Sequence, residues 1–179
     1  MPFSKAPAEA RQRLARLLER PAAHVELGDL DTPVVRMPAL DRHGARVWVK
    51  RDEQSSRVYG GGKVRKLEYV LADRRYRDKH ILGVGATGSH QLVALSLFHA
   101  ARGGKLSALV FDQEHTDAVH NNFELTRRYV EASGGRIDHV GSRGALPWAW
   151  VRHHMARTGS VYLTPGASNA VGCLGFVGA

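Results

Sequence analysis

The chain has 179 residues, 43% of them hydrophobic and 24% charged, which describes a folded globular protein and excludes a disordered one. No apolar run approaches the roughly 18–20 residues of a membrane span. Residues Met1–Arg20 lack the apolar h-region of a secretory signal, and the single cysteine, Cys173, excludes an intramolecular disulfide or a multi-cysteine metal cluster. A cytoplasmic setting is the expectation. Lys and Arg number 26 against 17 Asp and Glu, a formal charge of +9. These charges are scattered singly and in pairs, as at Arg74-Arg75 and Arg127-Arg128, with no basic run and no aromatic residues interleaved. They read as a solvated surface with some attraction for small anions, not as a nucleic-acid interface.

In chain order, Ala8–Glu19 has the apolar spacing of a surface helix, which Pro21 stops. Pro33 and Pro38 mark an extended or looped stretch. Arg46–Lys50 alternates like a strand. Gly60-Gly61-Gly62 then opens a helix over Lys63–Arg75, with Val64, Leu67, Val70 and Leu71 on one face. From here the rhythm is regular. Strands are expected at His80–Val84, Leu106–Phe111, Arg136–Val140 and Val161–Leu163. Helices are expected at Ser89–Arg102, Thr116–Ser133 and Gly144–Thr158. Strand and helix alternate at intervals of about 25 residues, the pattern of βαβ units in a parallel sheet covered on both faces.

Two segments could carry chemistry. In Gly60-Gly61-Gly62-Lys63 the glycines let the backbone approach a ligand closely, and the lysine sits where the loop enters a helix. If desolvated, such an amine loses its proton near neutrality and becomes competent for Schiff-base chemistry. The bland alternative is a hinge before a solvated helix end. The second segment, Gly83-Val84-Gly85-Ala86-Thr87-Gly88-Ser89-His90, follows a strand and opens a helix. As G-x-G-x-x-G, with Asp112 closing the next strand, it fits a nicotinamide-dinucleotide site using Gly83, Gly85 and Gly88. It fits equally a carboxylate held by Thr87, Ser89 and His90 at a helix N-terminus, or a plain tight turn with Ser89 as N-cap. No pair of histidines has metal-ligand spacing. His115, His120, His153 and His154 read as surface or capping residues.

Five ordered segments resemble the 1-aminocyclopropane-1-carboxylate deaminase / D-cysteine desulfhydrase family, pyridoxal-phosphate enzymes of the tryptophan-synthase-β type. They are Thr32-Pro33-Val34; Val47-Trp48-Val49-Lys50-Arg51-Asp52-Glu53; Gly61-Gly62-Lys63-Val64-Arg65-Lys66-Leu67-Glu68-Tyr69; Gly85–His90; and Pro165-Gly166-Ala167-Ser168-Asn169 through Gly175-Phe176. The family has Asn where Gly62 stands, and its S-N-H appears here as Ser89-His90-Gln91. The resemblance implies a three-layer αβα fold. It implies that Lys63 forms the Schiff base with pyridoxal 5'-phosphate, with Gly62 and His90 beside the cofactor. It implies that Thr87, Gly88, Ser89 and His90 hold the substrate carboxylate. The activity implied is a deaminase or desulfhydrase acting on a small amino acid and releasing a keto acid and ammonia. The organisation implied is residues 1–64 as the start of a large cofactor domain, 65–163 as a small α/β domain, and 164–179 as a return into the large one. The family chain is about twice as long, so an N-terminal half is expected. It would work as a homodimer or with a separate C-terminal half, or persist as an inactive split homologue.

Overall fold

The structure is a computed structural model that describes residues 12, 15–16, 22–156 and 159–177, with the side chains of 154–156 left out. The helix expected over Ala8–Glu19 lies outside the described residues, apart from Gln12, Ala15 and Arg16, which are helical. The chain divides into two compact units, Met1–Tyr69 with Ala170–Ala179, and Val70–Asn169.

In the first unit, β1 (Val34–Arg36) pairs antiparallel with β2 (Trp48–Lys50), Val35 opposite Val49. Helix α1 (Gly62–Val70) follows. It is shorter than the expected Lys63–Arg75. Past Val70 the chain turns instead, because the Asp73 carbonyl and carboxylate take the N–H groups of Tyr76, Arg77 and Arg75. Glu68, fully buried, accepts the Leu27 N–H at 3.1 Å, and its carbonyl accepts from Val25 at 2.9 Å, fixing the entering strand of chain on α1.

The second unit is a four-stranded parallel sheet in the order β5-β4-β3-β6, with β3 at Ile81–Ala86, β4 at Leu106–Phe111, β5 at Ile137–Val140 and β6 at Val161–Leu163. The connecting helices are α2 (His90–Ala100), α3 (Asp117–Ala132) and α4 (Leu146–Ala156). Because strands in such a sheet are buried on both faces, β3 and β4 are apolar almost throughout. Leu92 of α2 packs with Ala108, Val110, Phe123 and Ile137 on one face. Leu82, Val84, Leu109 and Val140 pack with Ala149 and Leu146 of α4 on the other. The architecture is therefore three layers, α/β/α, as the βαβ rhythm predicts. A short α5 (Ala170–Cys173) returns the chain to the first unit.

One reading needs correction. His153 is not a surface residue: it is 1% exposed, with Nδ1 3.4 Å from Asp138 Oδ2 and its ring edge-on to His80. The 3.6-residue period of α4 puts Ala149 and His153, four residues apart, on one buried face.

Candidate functional site

In the first unit, the loop before Lys63 is built against residues 52–55. The Gly61 N–H donates to the Asp52 carbonyl at 2.7 Å and to Ser55 Oγ at 3.1 Å. A Cβ on Gly60 would lie 1.9 Å from the Glu53 carbonyl oxygen, and Gly61 has φ of +120°, so both positions demand glycine. Gly62 does not; its Cβ would make ordinary contact with Phe176. Asp52 also anchors α1 through Arg65, whose guanidinium reaches both carboxylate oxygens, Thr32 Oγ1 and the Leu30 carbonyl. Burial alone would raise the Asp52 carboxyl, but Arg65, with Thr32 and Lys50, outweighs it and holds the carboxyl below the usual carboxylate range. Lys63 thus stands on the first turn of a helix fixed at both its loop and its flank. It is partly buried, and burial, with the Lys66 ammonium second, pushes its amine below the ordinary lysine range.

In the second unit, Thr87, Gly88, Ser89 and His90 form the turn from β3 into α2. The Thr87 N–H donates to the Phe111 carbonyl at 3.0 Å, and Ser89 Oγ caps α2 by accepting the Leu92 N–H at 3.4 Å. Gly88 lies against Gln113 and Val119, where a Cβ would meet Gln113 Nε2 at 2.6 Å. His90 is exposed, whereas Thr87 is buried. Two residues that the sequence did not single out, Gln91 and Thr164, come into view beside Thr87, which it did. Gln91, 5% exposed, and Thr87, 7% exposed, have buried side-chain polar atoms without a hydrogen-bond partner among the described residues. Thr164 Oγ1, just after β6, is in the same condition. A glutamine in the first turn of α2, directly after the Gly85–His90 segment, was the available signal.

The sheet order explains why this edge matters. The chain runs outward from β3 to β4 and β5, then returns to β6 on the opposite side of β3. The direction reverses between β3 and β6, and in open α/β sheets ligands bind in the crevice at the carboxyl ends of such strands. Residues 87–91 and 164 follow those two strands. The same order occurs in dinucleotide-binding sheets, so topology alone does not separate the two readings. Gly83 and Gly85, however, are required by packing. Their Cβ atoms would come within 2.8 Å of Leu92 Cδ2 and Ser89 Oγ respectively, so they let α2 lie close on β3 whatever is bound. Asp112 is exposed, 3.8 Å from His139 Nδ1.

Fold and site define the class: an open α/β unit with a helix N-terminus at its switch point, joined to a unit presenting a glycine-flanked lysine. No family model matches the chain. It is 38% identical over 96 residues to the nocardicin C-9' epimerase of Nocardia uniformis subsp. tsuyamanensis, covering 53% of this chain and 28% of that protein. It is 28% identical over 159 residues to the D-cysteine desulfhydrase of Klebsiella pneumoniae subsp. pneumoniae, covering 86% of this chain and 48% of that protein. An ACC deaminase homologue of known structure superposes with a TM-score of 0.71 at 24% identity, over 90% of this chain and 50% of that one. The chain is thus similar in sequence to 1-aminocyclopropane-1-carboxylate deaminases and D-cysteine desulfhydrases, a likeness that points to pyridoxal 5'-phosphate as cofactor. It spans about half the length of the curated relatives that match most of it.

Proposed function

We propose that this chain is the N-terminal half of a pyridoxal-phosphate-dependent enzyme. It would deaminate a small amino acid of the 1-aminocyclopropane-1-carboxylate or D-cysteine type to a keto acid and ammonia. The observation that carries this reading is a lysine held after a glycine turn with its amine pushed toward the neutral form. When bound, the cofactor supplies an electron sink for charge developing at the substrate α-carbon. Lys63 would supply the amine that holds the cofactor and would carry the proton at its Nζ. Gly62 and His90 are the further cofactor-binding residues that the resemblance implies. Thr87, Gly88, Ser89 and His90 hold the substrate carboxylate, with the positive end of the α2 dipole favouring the anion.

The test is to add pyridoxal phosphate, follow the visible absorbance band, reduce with borohydride and map the labelled peptide. A pyridoxyl group on Lys63 is expected; a label found only on Lys50 or Lys66 overturns the assignment. A parallel assay follows keto acid release by the chain alone and with the family's C-terminal half in trans. The epimerase among the relatives favours a second outcome at the same centre, in which the α-proton is removed and returned to the opposite face. Solvent deuterium entering the amino acid without ammonia release distinguishes it.

A further inference from the structure

A recess of about 210 Å³ lies at the amino end of the sheet, inside the second unit, between the turn before β3, the C-terminal end of α2 and the residue before β4. Its floor is fixed. The His99 ring, 3% exposed, meets the Lys79 carbonyl through Nε2 at 3.0 Å. Gly104 lies against that ring, where a Cβ would come within 2.2 Å of Cε1. Three cations line the recess, Lys79, Arg102 and Lys105, against one carboxylate, Asp78, which already meets Arg77 at 3.3 Å. None of the three cations has an ion-pair partner among the described residues. The negative end of the α2 dipole accounts for Arg102 alone. The Leu97, His99 and Ala100 carbonyls there already accept backbone N–H groups from residues 101–104, and Lys79 and Lys105 belong to no helix. Like charges gathered at one recess repel one another, and a bound anion removes that repulsion.

We propose that this recess is a binding site for a phosphoryl dianion, as inorganic phosphate or a phosphomonoester, held by Lys79, Arg102 and Lys105 over the floor of His99 and Gly104. Three cations from three separate segments suit a tetrahedral, doubly charged oxyanion, whereas a planar carboxylate is satisfied by one arginine fork. The recess has room for such an ion with several waters, since one water fills roughly 30 Å³. It is remote from the turn that holds Thr87. Strand β3 has six residues, so about 20 Å separates its two ends. An anion bound here does not compete for the carboxyl ends of the strands, and the proposal does not rest on the cofactor reading of Lys63.

The test follows ¹⁵N amide spectra of the 179-residue chain without pyridoxal phosphate, at constant ionic strength and at pH 8, where phosphate is doubly charged. Inorganic phosphate, methyl phosphate and acetate are titrated separately. The Gly103, Gly104 and Lys105 amides should shift and saturate with phosphate, with a Kd on the order of 1 mM. Saturation by both phosphates supports a site for the phosphoryl group of an ester; saturation by inorganic phosphate alone supports a site for the free ion. Arg102→Gln and Lys105→Gln should each weaken binding by about fivefold or more, and the double variant Lys79→Gln/Lys105→Gln should abolish saturation. These side chains are exposed, so the variants should keep the wild-type Tm. Arg128→Gln, which removes an exposed cation of α3, should bind phosphate as wild type does. Non-saturating shifts spread over the basic surface would overturn the proposal. So would saturable shifts confined to residues 85–91, equally tight binding of acetate, or an equal loss of affinity in Arg128→Gln.

Discussion

Arg65 and Asp52 meet at 2.7 Å, with the arginine side chain 4% exposed, and through this pair helix α1 is tied to the segment that carries its entry loop. The same Asp52 offers its carbonyl to Gly61. One residue therefore fixes both the flank of the helix and the turn in front of Lys63. Asp52→Ala strands a buried guanidinium and should cost about 3 kcal/mol in denaturant unfolding. It should also lower the yield of borohydride-trapped pyridoxyl on Lys63. The pair has a predictable pH dependence. The Asp52 carboxyl is held below its usual value, so its contribution is present above about pH 4 and is lost as pH falls through the lowered value. Wild type should lose stability in that acid range more steeply than Asp52→Ala.

The glycines of the two motifs should respond with opposite signs. Gly62 opens α1, is free of left-handed backbone, and offers a Cβ only a 3.4 Å contact with Phe176. Gly62→Ala should stabilise the chain by about 0.5 kcal/mol through helix propensity and reduced unfolded-state freedom. At Gly85 a Cβ would sit 2.8 Å from Ser89 Oγ and 2.9 Å from Ser89 Cβ. Gly85→Ala must push α2 off β3 and should cost about 2 kcal/mol. Urea midpoints of the two variants against wild type decide the matter. A destabilised Gly62→Ala would show that the loop needs glycine freedom at all three positions.

Lys63 should be trapped at lower pH than an ordinary lysine. Burial first, and the Lys66 charge second, disfavour its ammonium form, so more neutral amine is present at any given pH. The midpoint of the trapping rate against pH should fall below the roughly 10.4 of an unperturbed lysine. Removing the like charge in Lys66→Met should move that midpoint upward. Since Lys66 also lies over the Phe176 ring at 5.7 Å, methionine is chosen to keep the apolar contact. A profile that moves downward, or not at all, would show that Lys66 does not act on Lys63 through its charge.

The order of strands and helices was legible because local pattern and tertiary burial agree in a doubly covered parallel sheet. Leu106–Phe111 and Val161–Leu163 stand as strands at the bounds their apolar runs suggest. Where the two disagree, the sequence misled. Leu71 and Tyr76 continue the apolar spacing of α1, but Asp73 diverts the backbone with its own hydrogen bonds, and that competition is invisible to periodicity. His153 looked like one of a surface pair because it lies on α4 and its partner Asp138 lies on β5, 15 residues away. At the candidate site, the glycine turns and Ser89 were visible as motifs. Gln91 was not, since what marks it is the absence of a partner after folding, which no spacing encodes.

His99 gives the last prediction, at the amino ends of β3 and β4. It is 3% exposed, and its Nε2 lies 3.0 Å from the Lys79 carbonyl, which can only accept; Nε2 therefore carries the proton. Burial pushes the ring below the ordinary histidine value. The backbone hydrogen bonds to Lys79 and Lys105 and the Asp78 charge oppose that shift without cancelling it, and Arg102 adds to it. The folded state therefore binds the second proton less readily than the unfolded chain. Stability is complete above the unfolded value of about 6.5 and declines as pH falls below it, until the lowered folded value is reached. The slope contributed by one such group is at most about 1.4 kcal/mol per pH unit. His99→Gln keeps an N–H donor for the Lys79 carbonyl but cannot titrate. It should be less stable than wild type at pH 8, through lost packing, yet the difference should narrow between pH 6.5 and 5. Urea unfolding of both chains across that range measures it. A difference that stays constant or widens toward acid would mean that His99 titrates as it does in the unfolded chain, and that its burial carries no pH dependence.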